Sequence, residues 1–247
     1  MSNHSAVLAR LASSLASGPL DQPFPVRLCR ACVEILGADG GAITLSSTRP
    51  ERLTVSTSNG TSARLEDLQD VLGEGPGQDA YRVGHAVVTH VNGEQGGPFP
   101  MFAELAGRIA GPLTVWAIPM HPGGATIGVV TLYRAQGDLD ESLDDAQFLV
   151  DAVGAALLDD HDTHGVLAFA AWSDRARVHQ ATGMVVAQLT VTPEDALAIL
   201  RAHAYADAAT LDEIATQVVE RRLSFTGTDQ GVSRRETTDD SSRNGDQ

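Results

Sequence analysis

Val115-Trp-Ala-Ile-Pro-Met120, His121-Pro-Gly-Gly-Ala125 and Ile127-Gly-Val-Val-Thr-Leu-Tyr133 follow one another closely, and their reading decides the fold of the first part of the chain. The outer runs are rich in Val, Ile and Thr, side chains that suit a pleated, half-buried surface. The Pro-Gly-Gly segment between them predicts a tight hairpin turn. Strands joined this way are antiparallel, because a parallel pair needs a crossover of about a dozen residues or more. Further strand-like runs lie upstream at Ala42–Leu45, Leu53–Ser58 and Ala86–Val91, each bounded by Gly, Pro, Asn or Asp. Before them, Val7, Leu8, Leu11 and Leu15 recur at helical spacing within His4–Ala16, and Gly18-Pro19 stops that helix. A second helix fits Pro25–Leu36, with Pro in its first turn and Gly37 closing it. The expected domain is α+β, an antiparallel sheet with flanking helices.

From Leu143 onward the pattern becomes helical. Leu149, Val153, Ala156 and Leu157 mark a connecting helix, and the polar run Asp159–His164 with Gly165 marks a break. Trp172–Leu189 places Val178, Ala181, Val185 and Leu189 on one face. Thr192-Pro193-Glu194-Asp195 and Thr210-Leu211-Asp212-Glu213 are helix start signals, the second a capping box. The following helices present Leu197, Leu200 and Ala204, then Leu211, Ala215 and Val218. Short amphipathic helices of this kind close a small core only together. Thr226–Gln247 has almost no apolar residue and is expected to be disordered.

The 247 residues carry a formal charge of −15 and contain no lysine. Such acidity promotes solubility and opposes non-specific attraction to phosphate backbones. No apolar run is long enough to span a bilayer, and Met1–Leu20 lacks the pattern of a secretory signal. Two cysteines cannot build a disulfide framework, so a reducing cytoplasm is the expected location. Cys29 and Cys32 fall on the helical stripe of Val26, Val33 and Leu36, which predicts buried packing rather than redox or metal chemistry. His161 and His164, beside Asp159 and Asp160, read as part of an exposed acidic linker. His85, His90 and His121 have no nucleophile at a catalytic spacing. No Ser-His-Asp arrangement, phosphate-binding loop or His-Glu-x-x-His is present, so neither an enzyme nor a bound cofactor is expected. Trp116 is either core or pocket lining.

Two resemblances add to this reading. Leu36-Gly-Ala-Asp-Gly-Gly-Ala-Ile-Thr-Leu45, Leu72-Gly-Glu-Gly-Pro-Gly-Gln-Asp-Ala-Tyr81 and Ile127–Tyr133 together resemble GAF domains of actinobacterial regulators, over residues 22–162. Gly77 stands where some of those domains carry Cys. Ser173-Asp-Arg-Ala-Arg-Val-His-Gln-Ala-Thr-Gly-Met184, Glu194–Ala204 and Leu211–Ala215 resemble ANTAR, the three-helix output module of transcription antitermination regulators. The expected order is residues 1–21 as a helix and connector, 22–162 as the sensor, 163–225 as the output domain and 226–247 as a tail.

The GAF resemblance implies an unidentified small-molecule ligand or partner, and the ANTAR resemblance implies structured leader RNA, paired hairpins, as the target. The candidate RNA-binding residues are Arg175, Arg177, His179, Thr182, Arg201 and Thr210. Arg201 is expected to project away from the Leu197–Leu200–Ala204 stripe, its charge available to a partner. Thr182 and Thr210 stand where the family usually has Lys, and Trp172–Phe225 holds five Arg against seven Asp and Glu. The alternative is a sensor or protein-interaction module whose output domain no longer binds RNA. The stripe Leu149, Val153, Ala156, Leu167, Ala171, Val178 and Val185 predicts paired helices and a homodimer.

Overall fold

The computed structural model describes residues 3–19, 21–48, 51–92, 97–160 and 177–225. The chain divides into two compact units, Met1–Arg175 and Ala176–Gln247. In the first unit the elements run α1 (His4–Ser17), α2 (Phe24–Leu36), β1 (Gly40–Thr48), β2 (Glu51–Thr57), α3 (Gly60–Leu72), α4 (Pro76–Val83), β3 (Val87–Val91), α5 (Pro100–Ala110), β4 (Leu113–Met120), β5 (Gly128–Arg134) and α6 (Leu143–Asp159). The strands form one five-stranded sheet in the order β2-β1-β5-β4-β3, and every neighbouring pair is antiparallel. This is the α+β architecture that the hairpin predicts.

Alternation along the strands feeds two cores. Ile43, Trp116, Ile118, Met120, Val130 and Leu132 meet Val7 and Leu11 of α1, Leu28 and Ile35 of α2, and Leu149, Val153 and Leu157 of α6. Each such buried aliphatic side chain contributes about 1.5–3 kcal/mol. Trp116 belongs to this core. On the opposite face Val91, Leu113 and Val115 pack with Leu65 of α3 and Phe102 and Ala106 of α5. Ala117 and Val129 pack with Ala80 of α4.

Gly128 is fixed by close approach: a Cβ there would lie 2.3 Å from the Thr44 carbonyl oxygen. The β4–β5 connection is wider than a tight hairpin, running from His121 to Ile127 and closed by the Ile127 N–H donating to the Met120 carbonyl at 2.9 Å.

One further expectation needs correction. The connecting-helix stripe does not face a partner, because Leu149 and Val153 are fully buried inside the first unit's own core. The homodimer therefore cannot be argued from them. Helices α3, α4 and α5 occupy stretches to which the sequence pattern assigned no element. Cys29 and Cys32 are buried, as their stripe requires. The Cys29 thiol donates to the Gly41 carbonyl at 3.3 Å. Burial pushes that thiol up to about 11. Burial pushes Cys32 higher still. Neither has the thiolate character that redox chemistry requires.

The second unit holds α7, described over Arg177–Leu189, α8 (Pro193–Ala206) and α9 (Leu211–Val219). No single helix among the described residues is long and apolar enough to cross a membrane. Leu167, Ala171, the His161–His164 segment and the tail lie outside the described residues.

Candidate nucleic-acid interface

The second unit is built on a small apolar centre. Ala181 and Val185 of α7, Ala196, Leu197, Leu200 and Ala204 of α8, and Ile214, Ala215 and Val218 of α9 are buried. Helices α7 and α8 meet at a 107° bend. Beyond α9 the chain returns, and Leu223 and Phe225 are also buried. The Phe225 N–H donates to Gln188 Oε1 at 2.6 Å, and its ring meets His203 edge-on, with centroids 4.8 Å apart. Ile214, Leu223 and Phe225 extend the core beyond the residues that spacing picks out.

Threonines start the last two helices. Thr192 Oγ1 accepts from the Asp195 N–H at 3.2 Å and donates to Asp195 Oδ2 at 2.7 Å. Thr210 Oγ1 accepts from the Glu213 N–H at 3.2 Å while Glu213 Oε2 accepts from the Thr210 N–H at 2.8 Å, the reciprocal capping box that the sequence predicts. The helices end less comfortably. Thr190, Ala208 and Arg221 follow the three helices with φ of 57°, 51° and 59°, a left-handed conformation that favours glycine.

The candidate residues fall unevenly on this frame. Arg175 lies outside the described residues. Arg177 grips Asp212 across the helices: Nε donates to Oδ1 at 3.0 Å and Nη2 to Oδ2 at 3.3 Å. His179 is exposed. Thr182 is half-buried and its hydroxyl donates to the Val178 carbonyl at 2.8 Å, one helical turn back. Arg201 is half-buried and has an interaction partner. Thr210 is occupied as the cap. Spacing gave no warning of Asp212 as a partner for Arg177, nor of Arg221 and Arg222 as exposed cations at the end of α9.

In the first unit the notable polar feature is buried. Arg52 Nη2 donates to Glu66 Oε2 at 2.8 Å and Nη1 to Asp70 Oδ1 at 3.2 Å. Glu66 Oε1 accepts from Gln69 Nε2 at 3.0 Å, and Gln69 Oε1 accepts from the Gly77 N–H at 2.7 Å. The network ties β2 to α3 and the start of α4. It also explains Gly77, where a Cβ would meet Arg52 Nη2 at 2.9 Å and Gln69 Oε1 at 3.0 Å. An open groove of about 440 Å³ lies elsewhere on this unit, lined by Pro122, Gly123, Asp151, Ala155, Leu158 and Asp159.

Residues 170–219 match the model of the ANTAR domain. No curated protein matches the chain. Among solved structures, the chain is similar to the GAF domain of A. aeolicus NLH2, at 17% identity and a TM-score of 0.41, over 61% of this chain and 90% of that one. It is similar to the GAF domain of an Acinetobacter phosphoenolpyruvate-protein phosphotransferase, at 17% identity and a TM-score of 0.39, over 64% of this chain and 96% of that one. It is also similar to the chromophore-binding domain of a Stigmatella aurantiaca bacteriophytochrome, at 11% identity and a TM-score of 0.43, over 64% of this chain and 62% of that one.

Proposed function

We propose that this chain is a cytoplasmic, signal-responsive transcription antitermination regulator, regulatory rather than catalytic. Its first unit is a GAF-type sensor for a small molecule or partner, and its second binds structured leader RNA. The observation that carries this reading is the ANTAR match over residues 170–219. The motif resemblance over residues 22–162 and the antiparallel sheet with helices on both faces support the sensor assignment. A ligand moves such a switch only by binding its two states with different affinity. Arginine suits the RNA surface because its planar fork grips phosphate and stacks on unpaired bases.

A second reading, a protein-interaction module that has lost RNA, draws on specific observations. Arg177 is paired with Asp212, Thr182 spends its hydroxyl on its own helix, and the unit is acidic.

Titration of host leader RNAs bearing two adjacent hairpins separates the two readings. For a regulator of the first kind, Arg175→Ala weakens binding. Thr182→Lys tightens it, and each added phosphate contact steepens the log–log salt slope by about 0.7 for single strands. Affinity no greater than for an unstructured RNA of equal length, in every variant, favours the interaction module.

A further inference from the structure

Arg177 and Asp212 meet fork to fork, at 3.0 and 3.3 Å. Two oxygens of a carboxylate present to a guanidinium the same pair of acceptors as two oxygens of a phosphate. We infer that Asp212 is an internal competitor for RNA phosphate: it occupies the Nε/Nη2 edge of Arg177, and a phosphate gains that edge only by displacing it. The inference rests on the RNA-binding reading above and names how that binding is held in check.

Exposure makes the exchange feasible. The side chains of Arg177 and Asp212 are 40% and 45% exposed, so a phosphate can approach the pair without opening a core. A pair so exposed is modest in strength and can be displaced. Asp212 sits in the first turn of α9, where its charge favours the helix start, but the cap there is completed by Thr210 and Glu213 without it. An aspartate at this point costs the surface twice, because it holds a cation and adds a repulsive charge beside any incoming phosphate.

The test is fluorescence-anisotropy titration of the full-length protein against host leader RNAs bearing two adjacent hairpins, across a salt series. Four proteins are compared: wild type, Asp212→Asn, Arg177→Gln and the double variant. Asn keeps the shape of Asp and leaves the cap intact. Asp212→Asn should tighten binding about two- to fivefold and steepen the log–log salt slope by about 0.7. Arg177→Gln should weaken binding, and adding Asp212→Asn to it should restore only the smaller gain of a removed repulsive charge, less than the same change gives in wild type. Wild-type binding that Asp212→Asn leaves unchanged overturns the inference while the RNA reading stands. Equal tightening in both backgrounds also overturns it, because the gain is then bulk charge. Absence of binding by all four proteins overturns the inference and the RNA reading together.

Discussion

Asp145 shows how much of the sensor unit hangs on single side chains. Its carboxylate accepts from Ser142 Oγ at 2.7 Å and from the Asn3 N–H at 2.8 Å, and His4 lies 3.8 Å away. His4 in turn stacks on Phe148. The start of α1 is thus tied to the first turn of α6 by one acid. The Ser142 hydroxyl, then the Asn3 backbone N–H, hold that carboxyl below its usual range. A carboxyl depressed in the fold stabilises it above the unfolded value, about 3.9, and loses that contribution as the pH falls through the lower folded value. Amide protection factors in α1 should therefore be high near neutrality and fall below the ordinary aspartate range, before the sheet loses protection. Asp145→Asn should reproduce the acid behaviour of α1 at neutral pH. Uniform loss of protection across α1 and the sheet would refute a local tie.

At the scale of elements, the helix ends of the output unit are the strained features. Thr190, Ala208 and Arg221 adopt left-handed backbone without being glycine, at a cost of about 1–2 kcal/mol each. Ala208 is exposed, and no packing offsets the strain there. Ala208→Gly should raise the stability of this unit by about 1 kcal/mol, read as a shift in denaturant midpoint with unchanged slope. No shift would mean that the lost unfolded-state restriction cancels the relieved strain. The same elements show what the sequence made legible. Strands and caps announce themselves, because alternation and the Thr-x-x-Glu pattern are local. Helix α3 was legible only in part: Leu65, Leu68 and Leu72 recur at helical spacing and pack on the second core, but Ser62, Glu66 and Gln69 are buried beside them and blur the stripe. That part of the face is polar because Arg52, from β2, comes to meet it, a contact no local pattern records. Helix α4 opens on Gly75-Pro76-Gly77, which reads as a loop although proline is well placed in a first turn. The Arg177–Asp212 pair was hidden for a related reason: its partners are 35 positions apart.

For the whole molecule, the question is which apolar surface a second copy would use if the chain is a homodimer. Leu149 and Val153 are buried among α1, α2 and the sheet, and cannot also face a partner. Among the described residues, the large aliphatic side chains exposed on the helical side of the first unit are Leu8 of α1, 42% exposed, and Leu143 and Leu158 of α6, 44% and 48% exposed. Exposed leucines on neighbouring helices bury their surface most simply against the same helices of a twofold-related copy. The two sets of residues then predict different failures. Leu149→Asp places a charge in a closed core and should destabilise the unit by more than 3 kcal/mol or so, read as loss of the cooperative thermal transition. Leu158→Asp places a charge on the surface. It should leave that transition within about 0.5 kcal/mol of wild type, while light scattering at tens of micromolar, roughly the range where weak dimers form, shows a shift from dimer to monomer. A wild type that scatters as a monomer removes the dimer from the proposal. A dimer that Leu158→Asp leaves intact moves the interface away from this face of α6.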